Sequence, residues 1–145
     1  MKALTYADAP HDWALCFQND CPLHTKCLRF RVGTMMPASV LHHETVLPAA
    51  RQGDTCQCYA VDEPVVIARG MIGLFDSLPP SVRERVRTYV SCCFSSRSTY
   101  YRYRDGDYDI TPEKQEEIAK IFEQFQPGSV PRYDKTTTKY YFPQL

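Results

Sequence analysis

No stretch of this sequence stays apolar for anything near the roughly 20 residues that a bilayer-spanning helix requires. No contact with a membrane is therefore expected. The first ten residues lack an apolar core and a cleavage pattern, so no secretory leader is expected and the compartment implied is cytoplasmic. Net charge is missing too: Lys and Arg number 17, Asp and Glu also 17. Attraction to nucleic acid must then come from a local patch and not from the chain as a whole. There is no internal repeat and no low-complexity block, which removes solenoids and disordered linkers. A phosphate-binding glycine loop, a dinucleotide fingerprint and a nucleophile elbow are absent. An enzyme is not expected. The length of 145 residues suits one domain, or one core with a small appendage.

What the chain does have is thiol. Of its seven cysteines, Cys16, Cys21 and Cys27 follow one another closely, and Cys56 and Cys58 come after a long gap. In a reducing compartment such a group favours metal binding over a disulfide framework. Thiolates are soft ligands, suited to zinc or to an iron–sulfur cluster. Structural zinc takes four ligands in a tetrahedron. A loop carrying Cys16 and Cys21, a helix carrying Cys27 and a β-turn carrying Cys56 supply four. Cys58 is placed to replace or join Cys56. His24, His42 and His43 are substitutes. Two other readings compete: buried thiols acting as small apolar side chains, and a redox pair. Cys92 and Cys93 fit the first of these, because adjacent residues on a helix seldom converge on one ion.

Local signals give an α+β architecture in three parts: a cysteine-rich lobe over residues 1–70, a three-helix unit over 71–128, and an extended aromatic arm over 129–145. In the lobe, Pro22 opens a short helix over 22–32 that Gly33 stops. Short strands are predicted over 44–47, 57–61 and 64–68, with a turn at Gln52-Gly53-Asp54. Pro79-Pro80 starts a long helix in which Val82, Val86, Tyr89, Val90 and Cys93 recur at helical spacing. A second helix covers 96–104. Thr111-Pro112-Glu113 opens a third, its N-cap, first position and first-turn acid all in place. Ile118, Ile121, Phe122 and Phe125 line one face, and Pro127-Gly128 ends it. The arm holds Tyr133, Tyr140, Tyr141 and Phe142, too aromatic for a free tail. Asp105, Asp107, Asp109 and Glu116 match calcium-loop spacing, but Ile110 stands where glycine is required and Pro112 interrupts the loop, so calcium is set aside.

Residues 83–104 hold six Arg and one Glu, a local charge of +5 that leaves −5 for the rest. Ser96 and Thr99 can hold phosphate at a helix start, and Arg97, Arg102 and Arg104 can reach phosphates or base edges, with Tyr101 between them. The segment Ser96-Arg97-Ser98-Thr99-Tyr100-Tyr101-Arg102-Tyr103 resembles the recognition helix of bacterial helix-turn-helix regulators, which implies DNA as the partner. Interleaved Tyr and Arg also suit RNA or an acidic protein partner.

Two further resemblances concern the thiols. Cys21-Pro22-Leu23-His24-Thr25-Lys26-Cys27-Leu28 resembles part of the iron–sulfur motif of the WhiB-like regulators. That likeness implies Cys21 and Cys27 as cluster ligands. More broadly, Cys16-Phe17-x-x-x-Cys21-Pro22-Leu23-x-x-x-Cys27-Leu28-Arg29, Ala68-Arg69-Gly70 and Tyr100-Tyr101-Arg102-Tyr103-Arg104-x-Gly106 are similar to a family of small uncharacterised bacterial proteins, which brings no activity with it. The expectation is a metal-stabilised, nucleic-acid-binding and regulatory protein. The alternative is a protein-interaction module with buried cysteines and no metal.

Overall fold

The computed structural model describes residues 2–145 and gives a mixed α+β chain with four α-helices and two small antiparallel sheets. The chain forms two compact units. The first runs to Pro64 and takes in Tyr140–Leu145; the second is Val65–Lys139.

The first unit is mostly irregular chain around one helix. Helix α1, Leu28–Thr34, begins later than the proline at 22 suggests. Residues His24–Lys26 form a single 3₁₀ turn, and Cys27 is extended at φ −106°, ψ 118°. The reason is tertiary: Cys27 bridges Val61, and the Leu28 N–H donates to the Ala60 carbonyl at 2.7 Å. Those bonds hold the backbone out of the helical region until Leu28. The hairpin of β1, Arg51–Gln52, and β2, Thr55–Cys56, turns at Gly53, whose φ of 61° is the left-handed geometry glycine supplies. The predicted strand over 57–61 is therefore displaced upstream, and that over 44–47 shrinks to one bridge between Leu15 and Thr45. The core gathers Leu4, Trp13, Leu15, Leu28, Val32 and Ala60, with Tyr140 and Phe142 packed against it. Trp13 is anchored from both sides of its chemistry. Its ring meets Phe142 edge-on at 5.0 Å, and its Nε1–H donates to the Pro143 carbonyl at 2.7 Å.

The second unit threads a sheet among its helices. Strand β3, Val65–Arg69, is followed by α2, Pro80–Ser91, and α3, Arg97–Arg104. Then come β4, Asp109–Ile110, α4, Pro112–Phe125, and β5, Lys135–Lys139. The strand order is β4-β3-β5, all antiparallel, with Ala68 opposite Ile110 on one side and Thr136 on the other. The capping signals act as the sequence implies. Ser96 Oγ accepts from the Thr99 N–H at 3.0 Å, and Thr111 Oγ1 accepts from the Lys114 N–H at 3.3 Å. Val86, Val90, Ile118 and Phe122 are fully buried with Met71, Leu74 and Ile110. Gly70 at φ 81° lets the chain close on Asp134, whose carboxylate accepts from the Ile72 and Gly73 N–H groups at 2.9 and 3.0 Å. A Cβ at residue 70 would lie 2.5 Å from Asp134 Oδ2.

Two expected boundaries move as a result. The first unit ends at Pro64 and not at residue 70, because β3 pairs with β4 and β5. The arm over 129–145 is divided: Lys135–Lys139 completes the second unit's sheet, and Tyr140–Leu145 packs in the first unit.

Asp109 sits between Lys139 Nζ at 2.6 Å and the Arg69 guanidinium at 2.6 Å. The Lys139 hydrogen bond leads in holding its carboxyl below the ordinary aspartate value, with Arg69 adding to it. A depressed folded value contributes stability above the unfolded one and loses it as pH falls. The second unit should therefore hold its sheet stability above about pH 4 and lose part of it below, a loss absent in Asp109→Asn. Acid titration of the two proteins by circular dichroism checks this.

Candidate metal centre

Five of the seven cysteines come to one place. Cys16, Cys21, Cys27, Cys56 and Cys58 line a single small cavity of about 20 Å³ in the first unit. That is room for roughly one water-sized body. Each arrives on a different piece of chain. The Cys16 N–H donates to the Arg29 carbonyl at 3.2 Å, which ties its loop to α1. Gly33 permits the approach: a Cβ there would lie 2.7 Å from the Cys16 carbonyl oxygen. Cys21 ends a turn whose N–H donates to Gln18, and its own carbonyl meets the His24 N–H at 3.1 Å and His24 Nδ1 at 2.7 Å. Cys27 is the extended residue before α1, Cys56 closes the β1–β2 hairpin, and Cys58 follows two residues on. Cys21 and Cys27 are buried; Cys16, Cys56 and Cys58 are half-buried; all are free thiols.

Burial and neighbouring thiols act together on two members of the group. Burial pushes the Cys16 thiol up, and the neighbouring Cys27, Cys21 and Cys56 add to that. Burial likewise raises Cys58, with Cys56 reinforcing it and Arg29 opposing. Burial of this kind favours the protonated form of Cys16 and Cys58, and a bound cation reverses the preference. Among the described residues, no three His, Cys, Asp or Glu side chains stand in a geometry ready to hold a metal ion.

Beside the thiols lies a residue the sequence reading passed over. Arg29 is 1% exposed. Its Nη1 donates to Ala14 O at 2.6 Å, its Nε to Cys58 O at 2.8 Å and its Nη2 to Pro143 O at 2.7 Å. The guanidinium lies 4.3 Å from the Trp13 ring centre. Every partner is neutral. Burial works against its charge, and the groups favouring that charge are Cys58, Cys27, Cys56 and Cys16. A buried cation without a carboxylate is unusual and needs a counter-charge. The thiols line the same cavity as Arg29 and are the groups that favour its charge. Only its place in the Cys27-Leu28-Arg29 run marked this residue, since an arginine after a helix start normally reads as solvated.

The histidine substitutes separate. His24 lines the cavity, its ring packed on Phe30 at 5.0 Å. His42 and His43 lie along a different, wider hollow with His11, Asp12 and Glu44. Cys92 and Cys93 lie in the second unit, and Cys93 Sγ turns toward the Tyr89 carbonyl at 3.8 Å.

The Arg and Tyr residues of α3 are brought to one short helix but are already engaged. Ser96 and Thr99 cap its start. Arg97 donates to the Tyr101 hydroxyl at 3.2 Å, Arg102 faces Asp107 at 3.6 Å, and Arg104 pairs with Asp105 at 2.9 Å. Tyr100 is buried, and Tyr101 and Tyr103 pack partly on the same core. The three-helix unit carries a three-stranded sheet, and no helix of the described residues in this unit precedes α2.

A model for a family of unknown function, DUF6078, matches residues 1–142, and the chain belongs to that family. No curated protein and no solved structure matches it. Among the described residues no helix is long and apolar enough to cross a membrane.

Proposed function

We propose that this is a zinc-stabilised protein whose second unit binds nucleic acid. One observation carries the metal half: five thiols converge on one cavity beside a buried arginine with no acid partner. Four thiolates on Zn²⁺ carry a net charge of −2. Arg29 offsets half of it and gains the counter-charge that its burial demands. Cys16, Cys21, Cys27 and Cys56 are the ligand set, with Cys58 the substitute for Cys56. The cavity's size favours a single ion over an iron–sulfur cluster, whose cubane of irons and sulfides needs several times that room. The role is structural. Zinc binding supplies folding energy to a unit with one short helix and a two-residue hairpin.

The nucleic-acid half draws support from the +5 charge of residues 83–104 and from the half-exposed side chain of Arg102. Packing of Tyr100, Tyr101 and Tyr103 favours the second reading, an interaction module in which these rings are core and the arginines meet an acidic protein.

Elemental analysis of protein purified without oxygen tests the first half. About one equivalent of zinc and no visible absorbance is expected; iron with sulfide replaces zinc by a cluster, and no metal returns the thiols to the core. Titration into labelled nucleic acid at low salt tests the second half. Affinity should fall steeply with salt and weaken on Arg102→Ala. Absence of any binding at low salt leaves the interaction module.

A further inference from the structure

The second unit has a pocket of its own, between the loop after β3 and helices α2 and α3. Met71, Ile72 and Phe75 form its apolar side; Arg87 from α2 and Tyr100, Tyr101 and Arg104 from α3 form the other. Its volume is about 480 Å³, within the range of small-molecule sites of roughly 300–1,000 Å³. Among the described residues no carboxylate lines it.

Both arginines are oriented before any ligand arrives. The Arg87 guanidinium lies 5.3 Å from the Phe75 ring centre, and its Nη1 pairs with Glu84. The Arg104 guanidinium lies 4.6 Å from the Tyr101 ring centre, with Nε and Nη2 on Asp105. Glu84 and Asp105 lie outside the lining and each engages only part of its arginine. Arg87 Nη2 and Arg104 Nη1 keep donors without an acceptor among the described residues. The Tyr101 hydroxyl marks where an anion would be welcome. It accepts from Arg97, and Arg97 first, then Arg104 and Arg87, pull its phenol below the ordinary value. Three guanidiniums thus act on one oxygen, and no acid opposes them there.

We propose that this pocket takes one nucleotide unit: a phosphate on Arg87 and Arg104, and the attached planar base against Met71, Ile72 and Tyr101. Guanidiniums fixed on aromatic faces are suited to phosphate, and an apolar wall beside aromatic rings suits a base. The proposal rests on the nucleic-acid reading and narrows it. A base inside a duplex cannot enter a side pocket, so the preferred strand is single.

The test is fluorescence anisotropy with a labelled 12-nucleotide single strand and the matching duplex, alongside calorimetry with a 5′-mononucleotide. The proteins are wild type, Arg87→Gln, Ile72→Glu and Arg102→Ala. Ile72 is 73% exposed, so Ile72→Glu places a carboxylate at the pocket without touching the core. Both pocket variants should bind the single strand at least about tenfold more weakly, with a clearly smaller loss on duplex, where only the change of charge is felt. Single-strand binding untouched by both variants overturns the pocket while leaving the nucleic-acid reading in place. Equal loss on both forms of nucleic acid also overturns it. No binding of strand, duplex or mononucleotide overturns both. A mononucleotide bound as tightly as the strand assigns the same chemistry to a free nucleotide. A strand bound at least tenfold more tightly assigns it to the polymer.

Discussion

Arg29→Ala should unfold the first unit. The side chain satisfies three separate carbonyls, on Ala14, Cys58 and Pro143, and each belongs to a different piece of chain. Removing it takes the donor from the Ala14 and Cys58 carbonyls, at about 1–3 kcal/mol each, while Pro143 keeps the Trp13 Nε1–H. It also opens a hole beside Trp13, whose ring the guanidinium covers at 4.3 Å. A loss of several kcal/mol is comparable with the whole stability of a small domain, about 5–15 kcal/mol. The readout is unusually clean. The chain has one tryptophan, and Trp13 lies 1% exposed in this unit. Its emission should shift to the red in Arg29→Ala under conditions where wild type is blue-shifted. Arg29→Lys should fall between the two, since a single ammonium cannot span the three acceptors that a planar fork reaches. Native Trp13 emission and an unchanged melting temperature in Arg29→Ala would remove this residue from the architecture.

That such a residue escaped the sequence reading has a physical cause. Periodicity and capping rules report a helix's own chemistry, and they served where local chemistry decides. Helices α2, α3 and α4 begin at Pro80, after Ser96 and after Thr111, at the residues their caps imply. In the first unit long-range bonds decide instead. The helix expected from Pro22 is held back to Leu28 by pairing with Ala60 and Val61, and neither residue carries a signal for it. The aromatic tail was legible as packed chain because Tyr140 and Phe142 are too apolar to be free. Its division between two units was not, since the change from Lys135–Lys139 to Tyr140 is only a change from polar to aromatic residues. For the thiols, spacing was enough to group five of them and to set Cys92 and Cys93 apart. Spacing was silent on Arg29, because the need for a counter-charge follows from burial, and burial is a property of the folded chain.

The zinc proposal makes its largest prediction at Cys27. This residue separates ligand from core filler better than Cys16 or Cys56, because it is buried and its backbone is fixed by Val61 whatever its side chain does. The comparison needs two variables, side chain and metal. With zinc at a thousandfold excess over its dissociation constant, the ion contributes about 4 kcal/mol to the folded state. A unit of this size converts each kcal/mol into about 4–8 °C. A strong chelator should therefore lower the melting temperature of wild type, followed by Trp13 emission, by more than about 15 °C. Cys27→Ser should start low and respond to chelator by only a small part of that shift, because three thiolates hold zinc far more weakly than four. The double substitution Cys92→Ser with Cys93→Ser, in the other unit, should leave the chelator shift whole. If the thiols are core instead, Cys27→Ser costs about 1–3 kcal/mol for a buried hydroxyl, and chelator moves neither protein. Equal chelator shifts in wild type and Cys27→Ser leave the metal but take Cys27 out of its ligand set. The same pair of measurements on Cys56→Ser and Cys58→Ser then settles which of them is the fourth ligand: the ligand's loss abolishes the chelator response, and the bystander's loss does not.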